Sequence, residues 1–157
     1  MTYRYLGILA IFLVLFPTGC SYRFVDPVPA YEYALISVRN STGESGLAVL
    51  LEEEMRRSGG FKERSANRLS VTVTGFTETV ESVSSDGFPV RQKLTINVEW
   101  KVEGPQSAQA VFGKETASLT YPYSTNLPTL DWNRSAAVRL LTELTASRIL
   151  EGLGEQP

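Results

Sequence analysis

Val90–Val102, VRQKLTINVEWKV, alternates without a break. Val90, Gln92, Leu94, Ile96, Val98, Trp100 and Val102 fall on one parity; Arg91, Lys93, Thr95, Asn97, Glu99 and Lys101 fall on the other. Successive strand side chains point to opposite faces, so this pattern predicts a long strand with one face on a core. The opposite face is wet or lies against a partner. Arg91 and Lys93 share that face and are candidates for an anionic contact. The plain alternative is an ordinary solvated strand face of mixed charge.

Upstream, Ser84-Ser85-Asp86-Gly87 is a turn, since Asp-Gly readily adopts the backbone that a hairpin requires. Before it, Leu69, Val71 and Val73 alternate with Ser70, Thr72 and Thr74. At Gly75-Phe76 the alternation breaks and Val80 continues on the other parity, which predicts a bulge or twist near Gly75. Downstream, Gly104-Pro105 turns the chain. Ala108–Tyr121 then reads as a fourth strand, with Val111, Gly113, Glu115, Ala117, Leu119 and Tyr121 on one parity. Short turns make these three strands an antiparallel meander.

Two helices frame the meander. Ser45 stands where an N-cap should be, and Leu47, Leu50, Leu51 and Met55 form one apolar face. Gly59-Gly60 closes this helix, with Arg56 and Arg57 in a last turn whose dipole favours cations. The triplet Glu52-Glu53-Glu54 points in three directions around the helix, which favours a solvated face over a metal site. The last helix starts near Asp131, read as its cap or part of its first turn. Ala136, Ala137, Leu140, Leu141 and Leu144 form its expected core stripe, while Ile149, Leu150 and Leu153 drift off it. Tyr31–Val38 is the first strand, followed by a turn cluster at Asn40–Gly43. The expected fold class is α+β: a two-layer sandwich with both helices packed on one face of a four-stranded mixed sheet.

The N-terminus has a different character. Leu6–Cys20, LGILAIFLVLFPTGC, follows a basic residue, Arg4, and ends in small residues before Cys20. That is the layout of a secretory signal, and its apolar run is shorter than the ~20 residues a spanning helix needs. The Thr18-Gly19-Cys20 ending resembles a lipobox, making Cys20 the expected lipidation site, although Pro17 holds the position usually given to Leu. The expected division is 1–19 signal peptide, 20–30 lipidated N-terminus and tether, 31–153 a single domain, and 154–157 a frayed tail. Asp26, Pro27 and Pro29 favour an extended tether.

Composition narrows the chemistry. The 157 residues carry 15 Lys+Arg against 17 Asp+Glu, no His and one Cys. A nearly balanced charge gives no reason to expect a nucleic-acid partner. Without His or a second Cys the usual zinc sets and the Cys-His and Ser-His-Asp nucleophile systems are absent. No cofactor and no enzymatic activity are expected.

Several features together resemble a known family. Cys20 precedes an aromatic opening, Tyr22-Arg23-Phe24, and a tether ending near Val28-Pro29. A strand runs into Asn40-Ser41-Thr42, and a helix opens at Gly46-Leu47 and closes at Gly59-Gly60-Phe61. After the alternating hairpin come Tyr121-Pro122-Tyr123 and a last helix ending Ile149–Leu153. This order resembles the LptE family, lipopolysaccharide-assembly lipoproteins of Gram-negative outer membranes. The resemblance implies a lipid-anchored subunit inside an LptD-type outer-membrane β-barrel, at its periplasmic side or in its lumen. There it helps the barrel assemble and lipopolysaccharide reach the surface. In the family, basic residues near the hairpin tip and just before the last helix are linked to lipopolysaccharide contact. Here the tip, Ser84–Gly87, carries no base, and the second place falls near Leu130. Asp86 and Gly87 at the tip, with Arg91 and Lys93 on the open face, are the candidate barrel or lipopolysaccharide contacts. Competing readings are another lipid-anchored module, such as a cell-wall synthase activator or a secretion pilotin, and a periplasmic enzyme using two converging carboxylates.

Overall fold

A computed structural model describes residues 33–105 and 110–154. Cys20 and the tether lie outside the described residues. The element order is β1 (Tyr33–Asn40), α1 (Leu47–Gly59), β2 (Asn67–Val83), β3 (Pro89–Glu103), β4 (Val111–Pro122) and α2 (Leu127–Gly154). The sheet order is β1-β2-β3-β4, with β1 parallel to β2 and the other two pairs antiparallel. A helical crossover is what a parallel β1–β2 pair requires, and α1 supplies it. Both helices lie side by side on one sheet face: α1 packs on β1 and on α2, and α2 packs on β4 and β3. The expected α+β sandwich is the observed one.

Strand parity builds the core. Leu69, Val71 and Val73 of β2, with Leu94, Ile96, Val98 and Trp100 of β3, are buried against Leu47, Leu51 and Met55 of α1 and Leu141 and Ile149 of α2. The register of β2 slips between Val73 and Gly75, so Phe76, Glu78 and Val80 take over the helix-facing parity. The break expected at Gly75 is therefore a true register shift. Trp100 depends on its β4 neighbour: a Cβ at Gly113 would stand 2.0 Å from the indole Cζ2. Gly113 lets the ring lie flat against the β4 backbone.

Two helix starts differ from expectation. Ser45 is not the N-cap of α1; Gly46 holds that position in a left-handed conformation, φ 83°, and no side chain caps the helix. The sharp left-handed bend needs a residue without a Cβ, and this displaces the serine. The helix α2 begins four residues before Asp131. Asn126 Oδ1 accepts the Thr129 N–H at 3.4 Å, so Asn126 caps it and Asp131 lies beyond its first turn.

The core stripe of α2 is also shifted. Its buried residues are Ala137, Val138, Leu141, Thr142, Thr145, Ala146, Ile149, Leu150 and Leu153. Ala136, Leu140 and Leu144 face outward instead. The cause is two threonines that look polar in sequence. Thr142 Oγ1 donates to Arg139 O and Thr145 Oγ1 to Leu141 O, both at 2.7 Å, so each hydroxyl is satisfied by its own helix and can be buried.

Candidate functional site

Element lengths define the exposed part of the molecule. A helix of 13 residues is about 20 Å long, whereas a strand of 15 spans about 50 Å. Strand β1 stops even earlier: Asn40 pairs with Val73, and Ser41 N–H donates to Val73 O at 3.0 Å. From Thr74 onward β2 therefore has neither a neighbouring strand on that side nor α1 above it. The β2–β3 hairpin continues past this point to a tip at Ser84–Gly87. There Gly87 N–H donates to Ser84 O at 3.0 Å and Ser84 N–H to Phe88 O at 2.8 Å. Gly87 has φ 82°, the left-handed geometry the Asp-Gly pair anticipated.

The overhang is apolar. Val80, Val83, Phe88 and Val90 are all exposed, Phe88 at 66% and Val83 at 59%. Val90 has core parity but projects beyond the covered region, so it joins this patch rather than the core. The expected contact residues thus divide between two surfaces. Asp86 and Gly87 form the tip. Arg91 and Lys93 stand on the open face, in register with Ser82 and Thr79 of β2 and with Pro122 and Thr120 of β4. Neither forms an ion pair with another described residue, whereas Lys101 and Lys114 on the same strand face pair with Glu103 and Glu99. The Lys101 contact also holds the Glu103 carboxyl below its ordinary range. Around Lys93 the open face is rich in hydroxyls: Thr77, Thr79, Thr95, Ser118 and Thr120 lie in adjacent register rows.

A polar latch anchors the base of the overhang. Arg134 of α2 donates through Nη1 and Nη2 to both Glu44 carboxylate oxygens, at 3.1 and 3.0 Å, and through Nε to Glu78 Oε2 at 3.0 Å. Its guanidinium lies 5.9 Å from the Phe76 ring centroid. The bidentate contact with Glu44 raises the Arg134 pKa, with Glu78 adding to it. Tyr121 of β4 donates its hydroxyl proton to Glu78 and also approaches Gln92 Oε1. Burial, and then the bond to Glu78, push the Tyr121 pKa up. The latch therefore joins the β1–α1 loop, the rising half of β2, β3, β4 and α2 at one level. The apolar tip and Arg134 were missed in the sequence. The available signal for the tip was the mismatch between two long strands and one short helix.

Two acids of the α1 triplet, Glu52 and Glu54, pair with arginines. Arg56 Nη2 lies 2.9 Å from Glu52, and Arg57 Nη2 lies 2.7 Å from Glu54 and 3.2 Å from Glu143. A cavity of about 280 Å³ between α1 and α2 is lined by Glu53, Glu54, Arg57, Arg139 and Glu143. Arg57 holds the Glu54 carboxyl below its ordinary range, the opposite of what a general acid requires.

The LptE family model, described as lipopolysaccharide-assembly, matches residues 33–153. Among solved structures, the chain is similar to rare lipoprotein B from Shewanella oneidensis, with 19% identity and a TM-score of 0.58, covering 76% of this chain and 93% of that one. It is similar to a protein of Caulobacter crescentus at 15% identity and a TM-score of 0.57, covering 78% and 87%. A minor lipoprotein from Acinetobacter baumannii shares 16% identity with a TM-score of 0.50, covering 81% and 98%. These likenesses establish a shared fold. No curated protein sequence matches significantly.

Proposed function

The chain belongs to the LptE family of lipopolysaccharide-assembly proteins, and from that premise we propose that it is a lipid-anchored plug and assembly factor for an LptD-type outer-membrane β-barrel. The family is one of non-enzymatic envelope lipoproteins, so the task to explain is binding. The observation that carries the reading is the hairpin overhang. It extends the sheet beyond the helix layer and carries Val80, Val83, Phe88 and Val90 without a covering element among the described residues. Isolated exposed apolar side chains are ordinary, but a cluster on one projecting hairpin marks an interaction surface. In this reading the tip, with Asp86 and Gly87, enters the barrel lumen and packs against its inner wall. Cys20 carries the acyl chains that hold the domain at the outer membrane, and residues 20–30 span the distance from the bilayer.

The open face gives this reading its second half. Arg91 and Lys93 have no carboxylate partner among the described residues and stand beside a field of hydroxyls, a combination suited to a phosphorylated sugar. A photo-crosslinking residue at Phe88 tests the plug directly. Adducts to lumen-facing barrel residues support it, and adducts to a cell-wall synthase or a secretion ring would contradict it. Reversing both charges, Arg91→Glu with Lys93→Glu, is expected to weaken lipopolysaccharide binding at least fivefold. Unchanged binding would remove these two residues from the site.

A further inference from the structure

The β4 edge opposite β3 has a specific form. Tyr123 N–H donates to Val90 O at 2.9 Å, so alternate residues of β4 (Tyr121, Leu119, Ala117) direct their backbone groups towards β3. The N–H and C=O groups of Thr116, Ser118 and Thr120, and the Pro122 C=O, therefore point away from the sheet. The helix α2 closes both ends of this row: Arg148 Nη1 donates to Thr116 O, and Asn133 Nδ2 donates to Pro122 O at 3.2 Å. Between these caps, the outward backbone groups of Ser118 and Thr120 have no partner among the described residues. Beside them lies a groove of about 230 Å³, lined by β4 and by Asn133, Ala136, Ala137 and Leu140 of α2. Leu140 on the groove wall is 53% exposed.

We propose that the Thr116–Pro122 edge of β4, with the adjoining flank of α2, is a docking site for one extended segment of a partner protein, added as a fifth strand. A bare edge recruits backbone and an apolar groove recruits side chains; only a strand satisfies both, with alternate residues entering the groove. The two caps set its length, about six residues at ~3.3 Å each. Arg148, the cap on Thr116 O, places one cation at that end of the row. The segment therefore carries apolar residues at alternate positions and an acidic residue near the Thr116 end. Two copies pairing edge to edge would each bring an Arg148 cap, an Asn133 cap and an α2 flank to the seam, whereas a separate extended segment brings none of these. The site is separate from the hairpin tip, so it stands or falls independently of the barrel reading.

The test uses the full-length chain in mild detergent and the peptide acetyl-Glu-Val-Thr-Leu-Glu-Val-amide. Amide hydrogen exchange read by NMR is expected to slow at least tenfold at Ser118 and Thr120 at saturating peptide, and to stay unchanged at Gly87. Of two control peptides N-methylated on opposite alternate residues, the one blocked on its pairing side loses the effect. Ser118→Pro removes an outward N–H that no strand uses, so it is expected to weaken peptide binding at least tenfold. Leu140→Glu does the same through the groove wall and leaves every strand intact. No protection at Ser118 and Thr120, equal binding of both methylated peptides, or an edge-mediated dimer without peptide would each overturn the proposal.

Discussion

The two halves of the β2–β3 hairpin are built from the same two strands but live in different surroundings. In the lower half, Leu69, Val71, Val73, Leu94, Ile96 and Val98 are fully enclosed beneath α1 and α2. In the upper half, side chains of the same kind, Val80, Val83 and Val90, stand in solvent. Composition does not separate them; what lies above them does. Fold stability is concentrated where the helices cover the sheet, and the uncovered half is available for binding.

The largest expected effect breaks the lower half. Ile96→Ala removes a fully buried side chain and is expected to cost about 3–4 kcal/mol in urea denaturation. Gly113→Ala drives a Cβ into the Trp100 indole and is expected to cost about 2–3 kcal/mol in the same assay. A loss below 1 kcal/mol in either would mean that the covered half packs less tightly than described.

Next comes the latch between the halves. Arg134→Met leaves Glu44 and Glu78 without their cation and should cost about 1–2 kcal/mol, given that all three side chains are partly exposed. Tyr121 adds a pH signature. Its folded pKa is raised, so its stabilising contribution is full below the unfolded value of about 10 and is lost as pH rises above it. The stability of the wild type should therefore fall above pH ~10, and Tyr121→Phe should flatten that fall. A decline of equal slope in the variant would place its origin elsewhere.

The smallest stability effects belong to the upper half and the surface. Val83→Ala and Phe88→Ala should each change stability by less than about 0.5 kcal/mol, as should Arg56→Ala on the exposed face of α1. A loss above 1.5 kcal/mol at Phe88 would reveal a covering contact and remove the tip from consideration as a free surface.

The same contrast explains what the sequence disclosed. The meander, the bulge at Gly75 and the Asp86-Gly87 turn were legible because parity and turn chemistry are local. The face taken by α2 was not. Thr142 and Thr145 satisfy their hydroxyls on their own helix and enter the core, while Leu140 and Leu144 stay outside. Nor could Val80 or Val90 be assigned to the surface by parity, because their exposure depends on where α1 and β1 stop. The open-face position of Arg91 and Lys93 followed from alternation, but the Arg134 latch did not, since its partners Glu44 and Glu78 are distant in sequence.

The most direct test of the central claim is a paired measurement on Val83→Asp with Phe88→Asp in the tagged, lipid-anchored chain. Thermal unfolding and mild-detergent co-purification from the envelope are read on the same variant. The account predicts an unchanged Tm, a stoichiometric outer-membrane barrel with the wild type and loss of that barrel with the variant. Full retention of the barrel by a folded variant would contradict it, as would a cell-wall synthase, a secretion ring or no companion with the wild type.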